Sequence, residues 1–86
     1  MNDIFEKVKE YISKNGNLKI SKASKCKKTG DYIFLFDYSN GEEYQEAFVI
    51  NPKTNKEKTI NVFTLLVEDS EKGITDEDYE EITIAN

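Results

Sequence analysis

The sequence contains no histidine, no arginine and no tryptophan, and it has only one cysteine and one proline. Without histidine, the chain cannot build serine–histidine or cysteine–histidine catalytic pairs or imidazole metal sites. Cys26 alone cannot form an intramolecular disulfide or a structural zinc site, which favours a reducing, cytoplasmic location. The glycine motifs that bind phosphates and dinucleotides are also missing. We therefore predict a protein that is not an enzyme and uses no cofactor and no metal.

The chain also lacks long apolar runs, since none approaches the roughly 18 residues that a membrane-spanning helix needs. Its net charge of −5 argues against nucleic acid or an anionic membrane as the main partner. The charge is unevenly distributed: residues 1–28 hold eight lysines and three acids, whereas residues 67–86 hold eight acids and one lysine. All twelve basic residues are lysine, a bias that is common in AT-rich genomes and suggests a low-GC bacterium or its phage.

The stretch 31–38, DYIFLFDY, is the most strongly β-prone part of the chain. With a period of two, one face carries aromatic residues and the other is largely apolar. The aromatic face holds Tyr32, Phe34, Phe36 and Tyr38, and the other face holds Ile33, Leu35 and Asp37. Because both faces are apolar, we predict the central strand of a sheet.

Asn40 and Gly41 separate this strand from a second β-prone run over 43–50, which indicates a hairpin. A two-residue turn would place Phe34 opposite Ala47. A three-residue turn with a bulge at Gly41 would place Phe36 opposite Tyr44. The sequence leaves both registers open and slightly favours the second, because it brings two aromatic rings together.

Other segments are predicted around this hairpin. Residues 3–14 have the apolar spacing of an amphipathic helix, and 18–27 reads as a lysine-bearing edge strand. After the second strand of the hairpin, a turn is predicted at 51–56. Residues 57–67 are rich in β-branched side chains but also fit a helical stripe, and we favour a strand. A polar turn over 69–73 precedes Thr75, which we predict to cap a short helix with Asp78; residues 82–84 then suit an edge strand.

These elements predict a single α+β domain over 1–86. The N-terminal helix packs on a three- to four-stranded antiparallel sheet, and a short acidic helix or strand ends the chain.

Two known families share features with this chain. Residues 46–56, EAFVINPKTNK, resemble the strand–turn–strand of PepSY-type domains, which are associated with extracytoplasmic binding or inhibition. The overall layout is similar to that of small phage anti-CRISPR proteins: an amphipathic helix, a lysine-bearing strand, an aromatic hairpin and an acidic end. The second resemblance implies an inhibitor that imitates nucleic acid with carboxylates and occupies a basic groove.

The main functional hypothesis is a non-catalytic binding or inhibitor protein with an acidic surface for a basic protein partner, such as a nucleic-acid-handling enzyme. The predicted partner-binding residues are Asp76, Glu77, Asp78, Glu80 and Glu81. The alternatives are a structural or self-associating domain and a small-ligand module. The ligand pocket of that module would lie under the helix and be lined by Tyr32, Phe34, Phe36 and Tyr44.

Overall fold

The structure, a computed structural model, describes the backbone of residues 2–83 and the side chains of residues 4–83. The elements are α1 (Asn2–Asn15), β1 (Leu18–Cys26), β2 (Tyr32–Tyr38), β3 (Glu43–Asn51), β4 (Lys56–Asn61), α2 (Val62–Glu71), a 3₁₀ turn (Asp76–Asp78) and β5 (Tyr79–Glu81). The strands form one antiparallel sheet in the order β4-β3-β2-β1-β5. The predicted α+β class is confirmed, with five strands in place of three to four. No helix of the described residues is long and apolar enough to cross a membrane.

The strand predicted to be central is β2, the middle strand of the five. Its aromatic face lies under α1, where Phe34 and Phe36 are almost completely buried. Tyr11 of α1 stacks on this layer, with its ring centroid 5.3 Å from that of Phe36 and 4.8 Å from that of Phe48. The amphipathic stripe of α1 therefore closes one face of the sheet, as the helical spacing predicts. The buried part of this core consists of Ile4, Val8, Leu18, Ala23, Phe34, Phe36, Phe48 and Ile50.

A bulge in β1 divides its side chains between the two faces. The pairing with β2 shifts between Ile20 and Lys22, so that Ser21 is the extra residue. Simple alternation would place Leu18, Ile20 and Cys26 on one face. Instead, Leu18 and Ile20 lie on the α1 face, and the bulge turns Cys26 to the opposite face, where it is buried. The edge prediction for β1 is also wrong at its C-terminal end, since β5 pairs with Ser24–Cys26.

The hairpin between β2 and β3 has the register that the sequence slightly favours. The amide of Tyr38 donates to the carbonyl of Glu42 at 2.7 Å, which defines a three-residue turn. The rings of Phe36 and Tyr44 lie 6.1 Å apart in an edge-to-face arrangement. Between Leu35 and Asp37 of β2, the facing part of β3 contains two additional residues. Because the number is even, the side chains of β3 keep the same faces on both sides of the irregularity.

Residues 57–67 contain both predicted structures in succession. β4 ends at Asn61, whose side-chain oxygen accepts a hydrogen bond from the amide of Phe63 at 2.9 Å. This cap starts α2, which continues to Glu71. The prediction of a strand through 67 is therefore wrong beyond Asn61. The polar turn predicted from residue 69 is also wrong at its start, because residues 69–71 form the last turn of α2.

The C-terminal segment follows its predicted pattern. Thr75 precedes the 3₁₀ turn, and its amide donates to the carboxylate of Asp78 at 2.8 Å. The chain then pairs with β1 as β5, and the amide of Ile82 continues this pairing by donating to the carbonyl of Ala23 at 2.8 Å. An edge strand thus exists, but it spans Tyr79–Glu81 rather than residues 82–84, and Ile82 and Thr83 lie beyond its end. Ile84 of that prediction lies outside the described residues.

Candidate functional site

The face of the sheet opposite α1 is only partly covered. α2 lies against β3 and β4, where Val62 and Leu65 pack against Ile33, Ala47 and Val49. Over β2 and β1 the same face is covered near Tyr79, where Ile33 and Ser24 are buried, and it is open towards the hairpin, at Leu35 and Lys22. The resulting groove has a volume of about 450 Å³.

The groove has an apolar floor and two walls. Ile33 and Leu35 of β2 form the apolar part of the floor, because they alternate with the aromatic residues that point towards α1. α2 supplies one wall, and the 3₁₀ turn with β5 supplies the other. The complete lining consists of Lys22, Ser24, Ile33, Leu35, Val62, Leu65, Leu66, Asp69, Asp76, Tyr79 and Glu81.

Tyr79 and Asp69 connect the two walls. The hydroxyl of Tyr79 donates a hydrogen bond to the carboxylate of Asp69. Burial, with this hydrogen bond and the negative charge of Asp69, raises the pKa of the Tyr79 hydroxyl well above its usual value. A tyrosine hydroxyl is protonated at neutral pH, so it can donate to Asp69 and tie β5 to α2.

Toward the β2–β3 hairpin, the groove continues past Leu35 and Val62 into a second depression that includes Asp37, Glu43 and Phe63. Along its whole length the groove is lined by five carboxylates and one lysine. The carboxylates are Asp37, Glu43, Asp69, Asp76 and Glu81, and the lysine is Lys22. An apolar floor with a strongly negative border would attract a cationic partner that also carries apolar side chains.

The outer side of α2 adds exposed apolar surface beside this groove. The exposed fractions are 68% for Phe63, 58% for Leu66 and 59% for Val67. Their spacing of i, i+3 and i+4 places them on one side of the helix. None of the ten residues of α2 is fully buried. These side chains form an exposed apolar patch on α2 next to the groove.

The five acids predicted to bind a partner do not form one patch. Asp76 and Glu81 line the groove, and Glu77 is exposed nearby. Glu80 alternates with Tyr79 and Glu81 in β5, so it lies on the α1 face, opposite Lys25 of β1. The strand period thus separates acids that are neighbours in sequence.

Asp78, the fifth acid, stabilises the local fold. Its carboxylate accepts the Thr75 amide and lies 3.5 Å from the Lys28 ammonium. The amide hydrogen bond from Thr75, followed by the charge of Lys28, holds the pKa of the Asp78 carboxyl below its usual value. Lys28 also donates to the carbonyl of Gly73 at 3.0 Å. The basic N-terminal and acidic C-terminal parts of the chain therefore meet here, which reduces the charge available to a partner.

The alternative pocket residues, Tyr32, Phe34, Phe36 and Tyr44, lie on the α1 face. Phe34 and Phe36 are 1% and 2% exposed, so a ligand could contact them only by displacing α1. The Tyr44 hydroxyl is 2.8 Å from that of Tyr11. Burial and this hydrogen bond raise the pKa of Tyr44 to about 12. Lys25 lies over the ring of Tyr32, 5.7 Å from its centroid.

The apolar side of the groove is the part that sequence reasoning missed. Phe63 and Val67 fit a helical stripe in the sequence, but the β-branched residues around them favoured a strand. Asn61 is the missing signal: a good N-cap residue at this point divides the segment into strand and helix.

Neither a metal nor a reactive thiol is indicated by the described residues. Residues 4–83 bring together no group of three or more acids, cysteines or histidines that could hold a metal ion. Cys26 is buried on the face of the sheet that carries α2. Comparisons of the chain with protein-family models, with curated proteins and with solved structures find no match.

Proposed function

We propose that this protein is a non-catalytic binding or inhibitor protein that presents an acidic surface to a basic protein partner. The observation that carries the proposal is the groove, whose apolar floor is bordered by five carboxylates and one lysine. A nucleic-acid-handling enzyme is an example of such a partner, since its binding cleft is cationic.

The neighbouring apolar residues of α2 support binding of a protein rather than a free ion. Phe63 and Leu66 would lose exposed apolar surface on association, and removing apolar surface from water favours formation of a complex. The carboxylates would accelerate the encounter with a cationic surface and make it sensitive to salt. Apolar contacts would then supply affinity, and the acids would supply rate and selectivity.

Two double variants with the same charge change test which acids matter. Asp76→Asn with Glu81→Gln removes two carboxylates from the groove, whereas Glu77→Gln with Glu80→Gln removes two that do not line it. We expect the first pair to abolish capture of a basic partner from the native host and the second to preserve most of it. For the purified complex, the association rate should fall steeply between low and physiological salt. Equal capture by both double variants, with a flat salt response, would overturn the proposal.

A small-ligand function has one favourable observation, because 450 Å³ lies within the usual range for ligand sites. Under this alternative the groove, rather than the core under α1, would hold the ligand. Stabilisation of the protein against heat by a neutral apolar compound, lost in Leu66→Lys, would support it.

A further inference from the structure

The open part of the groove leaves room for one helix beside α2. It lies on the hairpin side of the Tyr79–Asp69 hydrogen bond, over β1 and β2, while α2 lies over β3 and β4. A helix centred over β1 and β2 would be two strand spacings, or roughly 10 Å, from α2. Packed helices lie about 8–10 Å apart. The open part of this face therefore has room for a second helix beside α2.

An occupant of this groove must satisfy its own backbone hydrogen bonds. The groove lies over a face of the sheet, and the backbone groups of β1 and β2 are already paired within the sheet plane. An extended segment lying there would leave its amides and carbonyls without partners, whereas a helix pairs them internally. The geometry thus favours a helix over a strand.

Charge and shape define the surface of that helix. Its inner side would have to be apolar, to contact Leu35, Val62 and Leu66. Its flanks would have to be cationic, to face Asp76 and Glu81 on one wall and the other carboxylates of the border. A second copy of this chain does not meet these requirements. The apolar stripe of its α1 is buried in its own core, and its own groove border is acidic.

We infer that the groove binds a basic amphipathic α-helix of the partner protein, in an antiparallel or parallel position beside α2. This inference rests on the proposed function and makes it specific, since a basic partner could also bind through a loop or an irregular surface. Leu66 would lie between the two helices, with Phe63 and Val67 extending the contact. The bound helix would complete a second layer on the sheet, equivalent to the layer that α1 forms on the other face.

Two synthetic peptides of identical leucine and lysine composition test the inference. In one, the 14 or so residues place leucine at i, i+3, i+4 and i+7, giving an amphipathic helix of about 21 Å. In the other, leucine and lysine alternate, giving an amphipathic strand. Both are titrated as monomers into the full chain at physiological salt. We expect the helical peptide to bind at least about tenfold more tightly and to gain helical circular dichroism on binding.

Leu66→Lys locates the binding site, because it puts a cation on the exposed apolar wall of the groove. Thr54→Lys, on the exposed β3–β4 turn, makes the same charge change elsewhere. The helical peptide should bind at least about tenfold more weakly to Leu66→Lys and normally to Thr54→Lys. Equal losses in both variants would overturn the location. Absence of binding, or equal binding of the alternating peptide, would overturn the helix. The proposed function would survive either result if the host partner still depended on Asp76 and Glu81.

Discussion

The hydroxyl of Tyr79 in β5 donates to the carboxylate of Asp69 in α2, and so joins the two walls of the groove at one end. The same tyrosine packs its ring on the apolar cluster of Ile33, Ala47 and Val49. One side chain thus anchors the edge strand to the core and fixes the distance between the strand and the helix. The shape of the groove therefore depends in part on this half-buried hydrogen bond.

Tyr79→Phe should weaken this connection while keeping the ring. We expect the free energy of unfolding to fall by roughly 1–3 kcal/mol, because Asp69 loses a partner in a partly buried position. The amide of Ile82, which pairs with β1, should exchange its hydrogen faster. Chemical denaturation and hydrogen exchange measure the two effects. Tyr38→Phe is the control, since that side chain is 41% exposed; an equal loss in both variants would contradict a specific role for the Tyr79 hydroxyl.

Removing a ring from the core under α1 should have a larger effect. Phe34→Ala or Phe36→Ala should cost roughly 3–5 kcal/mol, through lost apolar burial and the cavity left beneath Tyr11. A domain of this size has only about 5–15 kcal/mol of stability, so either variant should approach unfolding. Thermal melting checks the prediction, and an unchanged melting temperature in both variants would contradict it.

The position of β2 could be predicted because the local signal and the global one agree. A strand that is apolar on both faces needs neighbours on both sides and cover on its faces, and the sheet supplies them. The apolar spacing of α1 is an equally clear signal in the sequence. Both features can be read from periodicity alone.

The groove could not be predicted, for reasons that are also physical. The bulge at Ser21 moves Cys26 to the other face, and a one-residue insertion has no signature in the apolar pattern. The separation of Glu80 from Glu81 depends on where β5 pairs with β1. The sequence shows that the five acids are close together along the chain. It does not show the strand register that places them on different faces.

The charge of Asp78 should contribute to stability in a pH-dependent way. Its pKa is lower in the folded protein, chiefly because of the Thr75 amide, so its contribution is present above pH 3.8 and is lost as the pH falls through the folded pKa. Asp78→Asn retains an acceptor for Thr75 but no charge, so the decline in unfolding free energy below about pH 4 should become shallower. Denaturant titrations from pH 7 to pH 2 measure this, with Glu77→Gln as the charge-matched control. Identical profiles for the parent and Asp78→Asn would contradict the prediction.

Cys26 should behave as a core residue. Its side chain is 1% exposed, beneath the α2 face of the sheet. We expect a thiol reagent at neutral pH to label it only when the protein unfolds, because the reactive thiolate needs access to solvent. Cys26→Ala should leave partner binding intact and cost at most a few kcal/mol. Rapid labelling of the folded protein would instead indicate an activated thiol.

The exposed side of α2 should separate binding from stability. Phe63 is 68% exposed, and serine and phenylalanine have similar helix propensities, so Phe63→Ser should change the free energy of unfolding by no more than about 0.5 kcal/mol. Leu65, which packs on the inner side of the same helix, provides the contrast: Leu65→Ala should cost about 1–2 kcal/mol. If the outer side contacts the partner, Phe63→Ser should weaken capture of the host protein at unchanged stability. Capture by Phe63→Ser at the parental level would instead show that the partner does not contact this part of α2.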